Sequence, residues 1–328
     1  MPELPEVETV ARDLRGLVLG ATIVGARCTW PRTLRTHDPD GFAAAVAGRT
    51  IERVGRRGKL IVVELSEGAA LAIHLKMTGR LSVGPATASD DDHLRLAIRL
   101  DDGREVRFSD TRKFGRVGLY ERDPRTGELV EPGGGGPLFV RHGPEPLEPS
   151  FTLRAFRDRL RARRGRLKPL LLDQSFIAGI GNIYADEALW RARLHPLRPA
   201  NSLRPPDERR LHEAIRSVLA EAVERRGSSV RDYTGPMGDG TMQGQLAVYQ
   251  RTGRPCLRCG RPIRRLVIAA RASHVCPWCQ RLPRAARPEA RRSARTPRPS
   301  AREPREPRPS AREPREPRVR PTAAAAVG

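Results

Sequence analysis

The run Glu131-Pro132-Gly133-Gly134-Gly135-Gly136-Pro137, followed by Gly143-Pro144-Glu145-Pro146, divides the 328-residue chain into two parts with different periodicity. Proline cannot continue a helix or donate to a sheet ladder, and glycine is costly to order in either, so a stretch rich in both reads as a connector. On its N-terminal side, short apolar runs recur at 22–28, 50–56, 60–65, 71–75, 94–100, 105–109 and 117–120, several separated by turns such as Asp102-Gly103. That pattern predicts a β-sandwich. On its C-terminal side, 151–164 and 207–226 carry helical period, and two shorter helical pieces between them are broken by Ala178-Gly179-Ile180-Gly181-Asn182. Glycines there let the backbone approach something closely. Either the turn's amides and Asn182 face a phosphate at a helix start, or the glycines serve helix packing; the pattern leaves both open.

Both ends of this framework carry chemistry. The chain begins Met1-Pro2-Glu3-Leu4-Pro5-Glu6-Val7-Glu8-Thr9. Removal of Met1 would expose the secondary amine of Pro2; an unperturbed α-amino group titrates at ~8 where a lysine titrates at ~10. Condensed with a sugar aldehyde, such an amine gives a cationic iminium that acts as an electron sink. Glu3 and Glu6 are three residues apart at the start of an amphipathic helix with Val7, Val10, Leu14, Leu17 and Val18 on its buried side. Proline in a first turn and acids at the positive helix end are also ordinary helix-entry features.

At the other end, Cys256-x2-Cys259 and Cys276-x2-Cys279 enclose sixteen residues, the spacing of a four-thiolate zinc site. Four thiolates complete tetrahedral coordination and leave no open position, so the expected metal is one structural Zn2+. Two disulfides in a secreted domain would call for a signal peptide, and the charged N-terminus has no apolar core region. Cys28 follows an apolar stretch and is expected to be a small buried hydrophobe.

With 61 Lys+Arg against 38 Asp+Glu and a formal net charge of +23, the chain should be drawn to a polyanion. Nucleic acid is the expected partner, since no run of about 18 apolar residues suited to a membrane occurs. The segment 283–328 holds 13 Arg and 5 Glu and repeats the decapeptide Arg-Pro-Ser-Ala-Arg-Glu-Pro-Arg-Glu-Pro at 298–307 and 308–317. Rich in proline and nearly free of large apolar side chains, it is expected to be a disordered basic arm.

The N-terminal nonapeptide, His74-Leu75-Lys76-Met77-Thr78-Gly79, Asp110-Thr111-Arg112-Lys113-Phe114-Gly115, Gly179-Ile180-Gly181-Asn182-Ile183-Tyr184-Ala185 and the four-cysteine finger converge on one family. In this order, over about residues 2–281, they resemble the formamidopyrimidine-DNA glycosylases, bacterial enzymes of 8-oxoguanine repair. The resemblance implies a multidomain α+β protein. A catalytic N-terminal helix plus β-sandwich would occupy 1–135 and a linker 136–150. A helix-two-turns-helix domain would occupy 151–240, a zinc finger 241–282 and the tail 283–328.

Carried over residue by residue, the resemblance implies that Pro2 is the nucleophile at C1′ and Glu3 the proton donor and acceptor. Glu6 would hold the sugar, and Lys59, in the Arg56-Arg57-Gly58-Lys59 turn, would act near the phosphates. Met77, Arg112 and Phe114 would fill the gap left by an everted nucleotide, the guanidinium hydrogen-bonding the orphaned cytosine. Without the resemblance, Met77 and Phe114 read as core. His74, Asn182 and Arg271 would pinch the phosphate backbone, Lys168 would lie on the damaged-base side, and the Tyr233–Gln245 loop would cap the everted base.

The implied reaction is excision of oxidised purines from duplex DNA followed by β,δ-elimination, by a monomer in a bacterial cytoplasm, associated with the chromosome. Lys76 stands where the family more often has Gly and Met242 where it often has Phe, both at positions the resemblance puts near DNA or base. An endonuclease VIII-like glycosylase for oxidised pyrimidines and a non-catalytic DNA-binding paralogue are the alternatives. Leu4, where the former more often carries Gly, and intact Pro2, Glu3, Glu6 and Lys59 argue for the oxidised-purine enzyme.

Overall fold

In the computed structural model, residues 1–229 and 237–283 are described; the repeat-containing tail and residues 233–236 of the expected capping loop lie outside them. The chain enters through α1 (Leu4–Val18), whose start is shaped by a capping box between Glu3 and Glu6 and by Pro5 in the first turn. Capping contributes about 1 kcal/mol. Burying each of Val7, Val10, Leu14 and Val18 contributes about 1.5–3 kcal/mol, so packing against the sandwich decides where this helix lies.

The sandwich consists of two antiparallel sheets. One has the order β1 (Ile23–Cys28), β6 (Leu94–Leu100), β7 (Arg104–Asp110) and β5 (Gly79–Pro85). The other runs β2 (Ile51–Arg57), β3 (Leu60–Leu65), β4 (Ala69–His74), β8 (Arg116–Arg122) and β9 (Leu129–Val130). Inward residues of both sheets, among them Ile61, Val63, Ile73, Leu96, Ile98, Val106 and Phe108, share one core with the apolar face of α1. Cys28 packs at its edge and is half-buried, not enclosed as the apolar run before it implied.

Two elements escape the sequence pattern. Helix α2 (Pro39–Val46) starts at Asp38, whose side chain accepts from Gly41 N at 2.7 Å, a cap followed by proline. Strand β5 has only Leu81 and Val83 as apolar markers, and its register comes from pairing along β7.

Beyond the sheets come α3 (Leu153–Arg161), α4 (Leu167–Leu172), α5 (Asn182–Arg191) and α6 (Pro205–Glu224). Their core includes Phe156, Leu171, Phe176, Tyr184, Leu189, Leu211, Ile215 and Leu219. Leu4 belongs to this helical core, whereas the rest of α1 packs into the sandwich. The first turn of α1 therefore bridges the two lobes, which together with the finger belong to one compact unit.

The segment read as a connector is itself anchored. Leu138 and Phe139 pack on Val62, Tyr120 and Leu129. Glu145 is buried and accepts from Gly58 N at 2.5 Å and Arg56 Nη1 at 2.6 Å. Gly143 N donates to Gln174 O at 2.8 Å. The finger carries the hairpin β10 (Arg264–Ile268) and β11 (Arg271–Val275) between its cysteine pairs.

Candidate active site

Because α1 bridges the lobes, its first residues are pressed into the helical lobe at the start of α5. The Glu3 side chain is 3% exposed. Its carboxylate accepts from Gly181 N at 2.7 Å, Ile183 N at 2.8 Å and Tyr184 N at 3.3 Å. These are the unpaired donors of a helix N-terminus, which favour a negative group. The glycine turn expected to cradle a phosphate or to pack helices thus receives Glu3. Gly181 has no room for a side chain, since a Cβ there would fall inside the Glu3 carboxyl group. Pro2 is buried immediately before Glu3, and Met1 is 43% exposed beside it.

Glu6 lies one turn further along α1. Its Oε2 accepts from Glu3 N at 2.9 Å, and its Oε1 from Tyr184 Oη at 2.5 Å and Ser228 N at 2.7 Å. Burial, and then the charge on Glu3, push the Glu6 carboxyl above the usual carboxylate range despite those bonds. Gly227, at φ +76°, gives Glu6 its space, because a Cβ there would come to 2.8 Å from its Cγ and Oε1.

Lys59 sits at the tip of the β2–β3 hairpin and is nearly buried. Burial pushes its ammonium below the usual lysine value, Glu3 pulls it back up, Arg271 lowers it and Glu6 raises it. Lys59 therefore lies in the field of both carboxylates and of the finger's arginine. His74, at the end of β4, accepts from Lys76 N through Nδ1 at 3.0 Å. That bond requires the neutral tautomer with the proton on Nε2. Consistently, burial and then the charges of Lys76, Lys59 and His142 push His74 down to about 3.

Asn182 Nδ2 donates to Ala272 O at 2.9 Å, next to the exposed Arg271, while its buried Oδ1 has no partner among the described residues. One Nδ2 hydrogen remains for an external acceptor. Lys168 is brought to the same helix but not to the surface: it is 0% exposed and donates to Asp186 Oδ1 at 2.6 Å and Asn182 O at 2.9 Å.

Met77 and Phe114 lie at the surface, 42% and 48% exposed, so the core reading of these two side chains is wrong. Their loops are joined by buried Asp110, which accepts from Thr78 Oγ1, from Arg112 N at 3.1 Å and from Gly115 N at 2.7 Å. The Arg112 guanidinium stacks over the Phe114 ring at 4.9 Å. Lys76 occupies the left-handed region at φ +55°, which explains why glycine suits that position. Met242 is fully buried in the helical core.

The sulfurs of Cys256, Cys259, Cys276 and Cys279 all lie within 4.8 Å of one another, and none forms a disulfide. A tetrahedron with metal–sulfur bonds of about 2.3 Å has sulfurs roughly 3.8 Å apart, so the donor set and spacing fit one structural zinc. Trp190 Nε1, from α5, donates to Cys256 Sγ at 3.4 Å.

Several contributors went unnoticed in the sequence reading. Tyr184 lies inside the Gly179–Ala185 motif, yet only the structure shows its hydroxyl on Glu6. Asp186 accepts from His274 N at 2.9 Å and faces its Nδ1 at 3.0 Å. Glu187 accepts from the backbone N–H groups of Ala247, Val248 and Tyr249. The available signal was the spacing of Asn182 and Asp186, i and i+4 on one helix face.

Comparison with known proteins gives three family matches. Residues 1–117 match the formamidopyrimidine-DNA glycosylase N-terminal domain, 142–234 the formamidopyrimidine-DNA glycosylase H2TH domain, and 253–282 the zinc finger found in FPG and IleRS. A formamidopyrimidine-DNA glycosylase of Chloroflexus aurantiacus is 50% identical over 282 residues, covering 85% of this chain and 98% of its own. One from Roseiflexus sp. is 48% identical over 283 residues, covering 86% and 100%. Among solved structures, a Lactococcus lactis FPG mutant in complex with a Fapy-dG containing DNA superposes with a TM-score of 0.78 at 36% identity, covering 86% of this chain and 100% of that one. The MutM (FPG) protein from Thermus thermophilus superposes with a TM-score of 0.74 at 45% identity, covering 85% and 98%.

Proposed function

This chain belongs to the formamidopyrimidine-DNA glycosylase family, and from that premise we propose that it excises oxidised purines from duplex DNA as a monomer, working through the amine of Pro2. It is a DNA glycosylase of a family that also carries AP lyase activity. The observation that carries the residue assignment is the Glu3 carboxylate, buried beside Pro2 and held by three amides at the start of α5.

Once Met1 is removed, the Pro2 nitrogen attacks C1′ of the everted nucleotide and the N-glycosidic bond breaks, the base leaving with the bonding electron pair and taking a proton from water. Glu3 takes the amine proton and delivers it to O4′, opening the sugar to the iminium. The iminium acidifies the adjacent C2′ position; the Glu3 carboxylate, free again after protonating O4′, takes a C2′ proton, and the 3′-phosphate leaves with the C3′–O electron pair, which cuts the strand. Glu6 holds the entry of α1 through the Glu3 N–H and supports the sugar. Lys59, Arg271 and Asn182, with neutral His74 donating through Nε2, take the phosphates around the lesion. Met77, Phe114 and Arg112 fill the vacated stack and face the unpaired base. The zinc would be held by the four cysteines and closes the finger, and no step of the chemistry passes through it. No helix among the described residues is long and apolar enough to cross a membrane; we infer a cytoplasmic, chromosome-associated enzyme.

The test is borohydride trapping on a duplex with 8-oxoguanine opposite cytosine, run beside a thymine-glycol duplex and a Pro2→Gly variant, with mass spectrometry of the mature N-terminus. An adduct formed only by the Pro2 protein on 8-oxoguanine supports the assignment. Trapping confined to thymine glycol moves it to the endonuclease VIII-like reading, and an adduct with Pro2→Gly removes Pro2 as nucleophile.

A further inference from the structure

We propose that Asp186 is a positioning residue that fixes Arg271 beside Asn182 on one phosphate-binding edge by pinning the finger's hairpin to α5. The zinc closes the finger on itself, but the bonds that tie β11 to this helix come from two side chains of the helix. Asn182 holds Ala272 O at 2.9 Å, and Asp186 Oδ2 holds His274 N at 2.9 Å and Nδ1 at 3.0 Å.

The two attachments are in register. Residues 272 and 274 advance about 6.6–6.8 Å along a strand, and residues 182 and 186 advance about 6 Å along a helix face. The strand is thereby held at two points, which fixes its direction as well as its distance. Arg271, one residue before the first attachment, inherits that placement. Lys168 completes the ring by donating to Asp186 Oδ1 at 2.6 Å and to Asn182 O at 2.9 Å.

Since Glu3 caps the N-terminus of the same helix, α5 carries both the proton-transfer carboxylate and the mount of the phosphate-gripping arginine. Asp186 and Lys168 are both buried, so they act through Asn182 and β11 and not on DNA. This account also gives Lys168 a different part from that of a base contact: it is the counter-charge that lets a carboxylate be buried at the mount.

The proposal rests on Arg271 being a phosphate contact, and its test separates the two claims. Full-length Arg271→Ala, Asp186→Asn and their double variant are titrated with a duplex holding a stable abasic analogue, across a salt series and with zinc content measured. Asp186→Asn should keep one zinc per chain, weaken binding about tenfold, and lower the slope of log K against log salt by about one, as loss of a single phosphate contact does. On a duplex with 8-oxoguanine opposite cytosine, its single-turnover excision rate at saturating protein should stay within about threefold, a loss of binding and not of chemistry. The double variant should be no weaker than Arg271→Ala.

Should Asp186→Asn fail to fold, an Asp186→Leu/Lys168→Met variant, which removes both buried charges together, gives the same readings. Additive losses, or full affinity with an unchanged slope in the Asp186 variants, would overturn the proposal. An unchanged slope in Arg271→Ala would overturn the phosphate assignment and the proposal with it.

Discussion

Gly181→Ala tests whether catalysis depends on Glu3 being seated against α5. Gly181 has extended backbone angles, φ −130° and ψ −156°, so alanine introduces no backbone strain, and the entire effect comes from the added methyl. That methyl would stand 2.5 Å from Glu3 Oε1 and 2.6 Å from its Cγ. Relief to ordinary contact moves the carboxylate by roughly 1 Å, which stretches the bonds from Gly181 N (2.7 Å) and Ile183 N (2.8 Å) past the ~3.2 Å hydrogen-bond range.

Each such bond to a charged group is worth about 1.5–3 kcal/mol. At about 1.4 kcal/mol per tenfold in rate, the loss of even one seat for the carboxylate lowers the single-turnover excision rate by roughly 10–100-fold. Overpacking should also lower stability by about 1–3 kcal/mol, visible in thermal denaturation. Duplex affinity and zinc content should be unchanged. Gly16→Ala is the control: nothing lies within 4 Å of its Cβ position in α1, and removing a helix-interior glycine should stabilise by about 0.5–1 kcal/mol without touching the rate. Excision by Gly181→Ala within threefold of the parent would refute the reasoning.

Other outcomes follow from the same geometry. Because His74 is pushed down to about 3 from 6.5, the unfolded chain binds the extra proton between those values; stability is full above about pH 6.5 and falls as pH drops toward 3, by up to about 2 kcal/mol at pH 5. His74→Gln should flatten that part of the pH–Tm curve, and an unchanged curve would exclude the half-buried neutral imidazole. Met77→Ala and Phe114→Ala should leave Tm within about 1 °C, since surface substitutions are nearly neutral, while weakening lesion binding; a large loss of Tm would return both side chains to the core. Cys256→Ser should lose zinc and duplex affinity together, and retention of either alone in a binding assay would separate metal from grip. Truncation after Arg281 should flatten the salt dependence of non-specific DNA binding by removing the tail's 13 arginines, and the same slope with and without the tail would deny it a DNA contact.

The residues of the site were largely legible before the fold because they sit in local motifs: Pro2-Glu3, Asp110–Gly115, Gly179–Ala185 and the paired cysteines. Their partners were not. Nothing local in Gly179-Ile180-Gly181-Asn182 says that its amides face Glu3, and the phosphate-cradle reading was reasonable for a glycine turn opening a helix. Alternation marked most strands, whereas β5 depended on its neighbour β7 and α2 on a cap whose helix is only eight residues long. Burial likewise cannot be read from residue type alone: Met77 is exposed and Met242 is fully buried.

The sequence by itself determined the order of sandwich, helices and finger and the four cysteines of the metal site, and it pointed to the reacting groups proposed above, because periodicity, cysteine spacing and titration chemistry are properties of short segments. The tertiary structure decided which charges meet. Glu3 reaches the N-terminus of α5 because Leu4 packs into the helical core while the rest of α1 packs into the sandwich. Asp186 reaches β11 because a strand advancing two residues nearly matches a helix advancing four. Contacts between residues 88 to 181 positions apart in the chain arise only when burial of apolar surface has brought the lobes together, and no local pattern encodes them.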